Sequence, residues 1–299
     1  MKKYCIYSDK EIDENKMSKE HIIPKKMGGQ LDFGIEVNNK LNNELGNDVD
    51  EPFIKDLINQ FAIKHYGFKG YSKKEPSAVL KNSELVSGEV ADVFFTPKDV
   101  FYKIHGTDIN NKTRNENAYT YLPNSLIKHE TTIKLDNQVR FYSKFFLGAA
   151  YNLYGETFLK YGLHNELRTL MNSKNPIKLI ETGKINIKYE LGFPLRIPQS
   201  YDDDFMNIIV KGKFFTDYHI IWESYYANAL CLGVSFWGHD EFHSAVFQIA
   251  RDISKFSQND LGDVYFKELK DERRFLKYRK RDVLNKIIEW NPQLQKFNT

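Results

Sequence analysis

The chain has 299 residues, of which 41% are hydrophobic and 14% aromatic, including 18 Tyr and 22 Phe; this excludes an aromatic-poor disordered chain and suffices for one large domain or two ordinary ones. Its 43 Lys plus Arg against 40 Asp plus Glu give a net charge of +3, which excludes an argument for nucleic acid from overall charge and leaves it to local clustering. Two cysteines, Cys5 and Cys231, exclude a disulfide framework; with no run of about 18 apolar residues and an N-terminus that turns acidic, the expectation is a soluble, cytoplasmic protein with no membrane partner.

Residues 1–52 are polar, rich in Asn and Lys, with strand-like pieces around Tyr4–Tyr7 and Lys19–Ile23, and read as a compact module. From Phe53 the spacing of Phe53, Ile54, Leu57, Ile58, Phe61 and Ala62 predicts a helix, with Asp50 and Pro52 as its start. Gly67–Pro76 is loop-like, and Ala78–Ile104 has strand-type content. The period of Phe141, Phe145, Ala149, Leu153 and Tyr154 predicts a long helix over Asn137–Met171. Strands are expected at Ile185–Tyr189, Asn207–Val210, His219–Trp222, Ala229–Phe236 and Phe242–Ile249, with Gly238–Glu241 as a hairpin turn, and a charged helix closes the chain over Asp271–Glu289. The fold class is α+β: a small module over 1–52 and a larger mixed domain over 53–299.

The stretch that carries chemistry is Ser18-Lys19-Glu20-His21-Ile22-Ile23-Pro24-Lys25-Lys26-Met27-Gly28-Gly29, followed by the Asn-rich segment Asn38–Asp50. Together these resemble the HNH endonucleases of the ββα-metal superfamily. There an acidic residue and a His end a strand in a D/E-H-I-x-P context, a glycine-containing loop follows, and a helix returns an Asn toward the His. The resemblance spans Cys5–Phe53. Phosphodiester hydrolysis needs an activated water and neutralised phosphate charge, which an oxygen-liganded Mg²⁺ or Mn²⁺ supplies. The resemblance implies that Glu20 and Asn42 hold the metal and that His21, titrating near neutrality, is the general base. Asn43 stays open as the ligand in place of Asn42. Asp50, about two helical turns further on, can approach the metal if the helix persists, although capping ahead of Pro52 is the preferred reading.

Many members of this family hold a structural zinc with two C-x-x-C pairs. Here Cys5 remains, but Ser8, Asn38 and Leu41 stand at the other three positions. One thiolate cannot supply a tetrahedral site, so no structural zinc is expected, and packing by Ile6, Ile35, Val37 and Leu41 is expected in its place.

Elsewhere, His239-Asp240-Glu241-Phe242-His243 has the wrong Glu position for a zinc-protease helix and reads as a turn. The run Lys270–Arg281 holds seven basic and two acidic residues with interleaved aromatics. It is either a solvated helix face or a phosphate-binding one, in which case Arg273, Arg274, Lys277 and Arg279 meet DNA. The function expected is a metal-dependent endonuclease acting on double-stranded DNA as a homodimer, of the kind used in prokaryotic restriction or anti-phage defence. The alternatives are a degenerate HNH module that only binds nucleic acid, and an RNase.

Overall fold

The computed structural model describes the chain except residues 72, 75, 86–87, 97–99, 106–119, 122–126, 129–132, 193–214, 216, 227, 239–242, 257–260, 270–274 and 291–299. The chain forms two compact units. One comprises Met1–Pro24, Gly29–Glu51 and Leu135–Thr299; the other comprises Lys25–Gly28 and Pro52–Lys134.

The first unit begins with two antiparallel hairpins, β1 (Lys2–Cys5) with β2 (Lys10–Asp13), and β3 (Met17–His21) with β4 (Gly34–Asn38). Between β3 and β4 the chain folds back so closely that a Cβ on Gly29 would lie 1.6 Å from the Ile23 carbonyl oxygen, so only glycine fits there. Helix α1 (Asn39–Leu45) follows β4 directly, capped by the Asn38 side chain, which accepts from the Leu41 amide at 2.9 Å. Its path widens into a π-helical turn over Gly46–Asp50 and continues as α2 (Glu51–Ile54). Asp50 is therefore not a cap. The helical path runs through it.

In the second unit α3 (Leu57–Tyr66) follows α2 after a break at Lys55–Asp56. The single helix expected over Phe53–Ala62 is thus two pieces; the Asn59 side chain, 2% exposed, donates to the Phe53 carbonyl at 2.6 Å across the break. An antiparallel five-stranded sheet follows, built from β5 (Ala78–Leu85), β6 (Val90–Phe95), β7 (Val100–Ile104), β8 (Thr120–Tyr121) and β9 (Ile127–Lys128), in the order β8-β7-β6-β5-β9. Leu57 and Phe61 of α3 pack on Leu80, Leu85, Ala91 and Val93 of this sheet.

The rest of the first unit opens with α4 (Leu135–Tyr154), then α5 (Glu156–Tyr161), α6 (His164–Asn172) and α7 (Pro176–Glu181). The long helix expected over Asn137–Met171 is broken twice. Gly155 adopts φ +52°, which ends α4, and Gly162 leaves the helical path to bridge Ala250. The main sheet then runs β10 (Tyr189–Leu191), β11 (Tyr218–Tyr226), β12 (Ala229–Ser235), β13 (Ser244–Ala250), β14 (Asp263–Glu268) and β15 (Phe275–Arg279), in the antiparallel order β10-β13-β12-β11-β14-β15, before the closing helix α8 (Lys280–Trp290). The expected strand at Asn207–Val210 and most of the Gly238–Glu241 turn lie outside the described residues. The closing helix is shorter than expected. Residues 275–279 pair with β14, because Phe275 stacks on Phe33 at 4.6 Å and Leu276 joins the core, which outweighs the helical propensity of the charged run.

This sheet is buried on both faces. Ile220, Trp222, Val246 and Val264 meet Val283 and Ile287 of α8 on one side. On the other, Phe236 and Phe247 stack with Tyr142 and Phe146 of α4. Residues 139 and 141–150 of α4 are all buried, so this helix has a second neighbour besides the sheet. That neighbour is the N-terminal module, met by a stripe of one residue per helical turn. Arg140 donates to the Asp48 carbonyl at 2.9 Å, Lys144 reaches Glu20 and Asp50, and Asn152 donates to the Gly34 carbonyl at 2.9 Å. Between them Gly148 lets the backbone approach until a Cβ would lie 3.1–3.4 Å from Tyr7, Ile22 and Ile35.

Candidate active site

Glu20 is 8% exposed and sits one residue before the end of β3, on the strand face it shares with Ser18. Facing that strand, α1 presents Asn42, whose Nδ2 lies 3.5 Å from Ser18 Oγ. Asn43 is exposed and lies 3.5 Å from Asn39 on its own helix, so only Asn42 is turned toward β3. In an unbroken α-helix a residue eight positions after Asn42 would be rotated by about 80°. The π turn takes up the excess residue and brings Asp50 back to the Asn42 side. Glu20 and Asp50 consequently converge, one from the strand and one from the helical run.

They converge on a lysine. Lys144, 3% exposed in the middle of α4, places its ammonium 2.6 Å from Glu20 Oε1 and 2.5 Å from Asp50 Oδ2. The same ammonium lies 5.7 Å from the ring centre of Tyr7, a fully buried tyrosine whose hydroxyl has no hydrogen-bond partner. Asp50 Oδ1 is also buried and unpartnered. Burial pushes the Asp50 carboxyl up to about 6, with the Lys144 charge pulling it down and the Glu20 charge adding to the rise. For Lys144, burial opposes the charge, but the Asp50 and Glu20 carboxylates outweigh it and hold the ammonium above its ordinary value. The cluster is thus a cation between two anions, with one negative charge in excess when both carboxylates are ionised.

His21 is the last residue of β3, half-buried, and pairs across the hairpin with Gly34. The family resemblance singled out Glu20, His21 and Asn42, with Asn43 and Asp50 as further candidates, and all five lie on β3 and the helical run that follows β4. It missed Lys144. The signal was present: a lysine within Phe141-Tyr142-Ser143-Lys144-Phe145-Phe146, a run that turns buried faces to both sides, is almost never buried without a partner.

The positions matching zinc ligands in the resembled family remain close to one another. Cys5 Sγ is buried and accepts the Asn38 amide at 3.2 Å, while Asn38 Oδ1 in turn accepts the Leu41 amide. Hydrogen bonds through side chains thus join three of the four positions, alongside the buried Ile6, Ile35 and Val37; Ser8 Oγ is buried with no partner.

Among the four basic residues considered for DNA, Arg273 and Arg274 lie outside the described residues. Lys277 and Arg279 are on strand β15, not on a helix, because that segment pairs with β14. Lys277 is already neutralised by Asp263 at 2.6 Å, whereas Arg279 is exposed at the sheet edge.

Residues 5–58 match the family model described as HNH endonuclease. No curated protein and no solved structure matches the chain. The N-terminal segment is thus recognised as an HNH segment, and the class it indicates is that of nucleases; the match leaves residues 59–299 outside it. HNH nucleases generally use divalent metals and act on DNA. Among the described residues no cluster of three or more His, Cys, Asp or Glu is arranged to hold a metal, and no helix is long and apolar enough to cross a membrane.

Proposed function

We propose that the protein is a divalent-metal-dependent DNA endonuclease whose catalytic module, of the ββα-metal type, is residues 1–52. The observation that carries this reading is the convergence of Glu20 and Asp50, both inside the matched segment, on one cation, with His21 following Glu20 in the strand. Two carboxylates fit a Mg²⁺-type ion, which is commonly held by one or two carboxylates plus water and substrate phosphate; the unpartnered Asp50 Oδ1 is a spare donor. Glu20, Asp50 and Asn42 would hold the ion, and it would neutralise charge on the scissile phosphate. His21 takes the proton from the attacking water, and Lys144 adds positive charge beneath the site. Asn43 is the weaker choice because it faces solvent.

Residues 53–299 are assigned to target selection, and a homodimer would present two centres to the two strands of a duplex. Restriction or anti-phage defence is the role such an architecture implies.

The test is incubation of the purified protein with plasmid DNA and with RNA, with and without Mg²⁺ or Mn²⁺. Metal-dependent cleavage of DNA is expected. Cleavage of RNA alone would establish the RNase alternative, and no cleavage of either would favour the binding-only one. Because a protonated carboxyl cannot ligate, the Mn²⁺ concentration for half-maximal cleavage is expected to rise as pH falls through about 6, the point to which Asp50 is pushed. Asp50→Asn should remove that rise while weakening metal use at every pH.

Of the four candidates Arg279, exposed on β15 while Lys277 is paired with Asp263, is the one taken to meet phosphate, with Arg273 and Arg274 proposed beside it. Arg279→Ala in a His21→Ala background is expected to weaken duplex binding and reduce the salt slope by about 1. Titrations at several salt concentrations measure it, and identical slopes would place the phosphate contacts elsewhere.

A further inference from the structure

We propose that Lys144 is a built-in cation, holding Glu20 and Asp50 together when no divalent ion is bound and competing with that ion for the same two carboxylates. The inference rests on the reading of Glu20 and Asp50 as metal ligands and goes beyond it, because Lys144 lies outside the segment matched by the HNH family.

The geometry is that of a substitute ion. The ammonium touches one oxygen of each carboxylate, at 2.6 Å and 2.5 Å, so it bridges the same two carboxylates that a divalent ion would draw in to about 2.0–2.1 Å. It is 3% exposed, so it cannot exchange these partners for water without moving. A monovalent ammonium leaves one of the two negative charges uncompensated, whereas a divalent ion compensates both. The ion is thus the electrostatically better occupant, and the lysine the one that is always present. Its four-carbon stem allows the head group to withdraw, and the unpartnered Asp50 Oδ1 and Tyr7 hydroxyl leave buried polar atoms to which a rearranged site can bond.

What fixes Lys144 in place is α4. One turn before it Arg140 is tied to the Asp48 carbonyl, and two turns after it Asn152 is tied to the Gly34 carbonyl. Metal affinity of the HNH module is thereby set by a helix that the module does not contain. If the ammonium-free arrangement is about a tenth of the population, apparent affinity is reduced about tenfold.

The experiment measures Mn²⁺ binding by electron paramagnetic resonance of the free ion, together with the melting temperature across a Mn²⁺ series, for the wild type, Lys144→Met, and each with Glu20→Gln. Lys144→Met is expected to bind Mn²⁺ about tenfold more tightly. It is also expected to melt lower than wild type without metal and to gain more from added Mn²⁺, with Glu20→Gln abolishing binding in both backgrounds. Equal or weaker Glu20-dependent binding in Lys144→Met would overturn the competition while leaving the metal-ligand reading intact. Binding that ignores Glu20→Gln, or is absent throughout, would overturn that reading and the inference with it. If Lys144→Met does not fold, the wild type still decides. The Nζ resonance of ¹⁵N-lysine protein, assigned with Lys144→Arg, should be protected without metal and lose protection as Mg²⁺ is added; an unchanged signal at saturating Mg²⁺ would overturn the proposal.

Discussion

Replacing His21 with alanine is expected to lower metal-dependent DNA cleavage by at least about 10²-fold, the scale of a lost general base, while leaving thermal unfolding close to wild type. His21 ends β3 and is half-buried, and its backbone pairing with Gly34 does not depend on the imidazole. The substitution leaves that backbone pairing in place, and the larger loss expected is in the chemistry. Plasmid nicking under single-turnover conditions and a melting curve from the same preparation make the measurement. Undiminished cleavage by a clean His21→Ala sample would remove His21 from the mechanism. Asn42→Ala should behave differently, weakening the dependence on metal concentration, if Asn42 is the ligand proposed above and His21 the base.

A fragment of residues 1–58, the stretch that matches the HNH family, is expected not to fold. A core of this size supplies no more than about 3–5 kcal/mol without added staples. In the whole chain Tyr7, Ile22 and Ile35 are buried, with α4 brought against them at Gly148. At roughly 1.5–3 kcal/mol for each large apolar side chain covered, removing α4 takes away more than the fragment has to spare. Losses of Arg140 on Asp48, Asn152 on Gly34 and Arg168 on the Ile6 carbonyl add to this. Circular dichroism should show no cooperative transition. A fragment that melts cooperatively would mean that the module carries its own stability.

The part of this site that could be read from sequence is the part whose chemistry is local. Glu20 and His21 are adjacent, Pro24 and Gly29 follow within nine residues, and the segment from Asn38 has to return to that strand. Asp50 was visible as a candidate but its placement was not, because the wide turn that rotates it onto the Asn42 side leaves no mark in composition, and Pro52 made a cap the simpler reading. For Lys144 the apolar run signalled burial, but its partners were out of reach for a different reason. It is 124 residues from Glu20 and 94 from Asp50, and spacing rules do not extend over such distances. The same limit explains the closing segment. Its charge pattern suggested a helix, but Phe275 has partners in Phe33 and Tyr265 that only the assembled sheet supplies. In the middle of the chain, the long apolar period over 137–171 was correctly helical, yet the two glycines that divide it weigh little beside so many apolar positions.

The π-helical turn between Leu45 and Glu51 makes chain length itself a component of the site. Elsewhere on the surface of a protein a residue can be gained or lost from a loop with small effect, but here the count between Asn42 and Asp50 decides which way a carboxylate points. Dropping one residue from Gly46–Val49 would let the turn relax to ordinary α geometry, in which seven positions amount to about 700° and keep the aspartate on the Asn42 side; one residue more would rotate it by about a further 100°. The insertion leaves the inventory of side chains intact and disperses it, whereas the deletion does not. Among divergent relatives of this segment, an interval of seven with a regular helix, or of eight with a widened turn, would accordingly be a sharper sign of a working site than the identity of the residues in between.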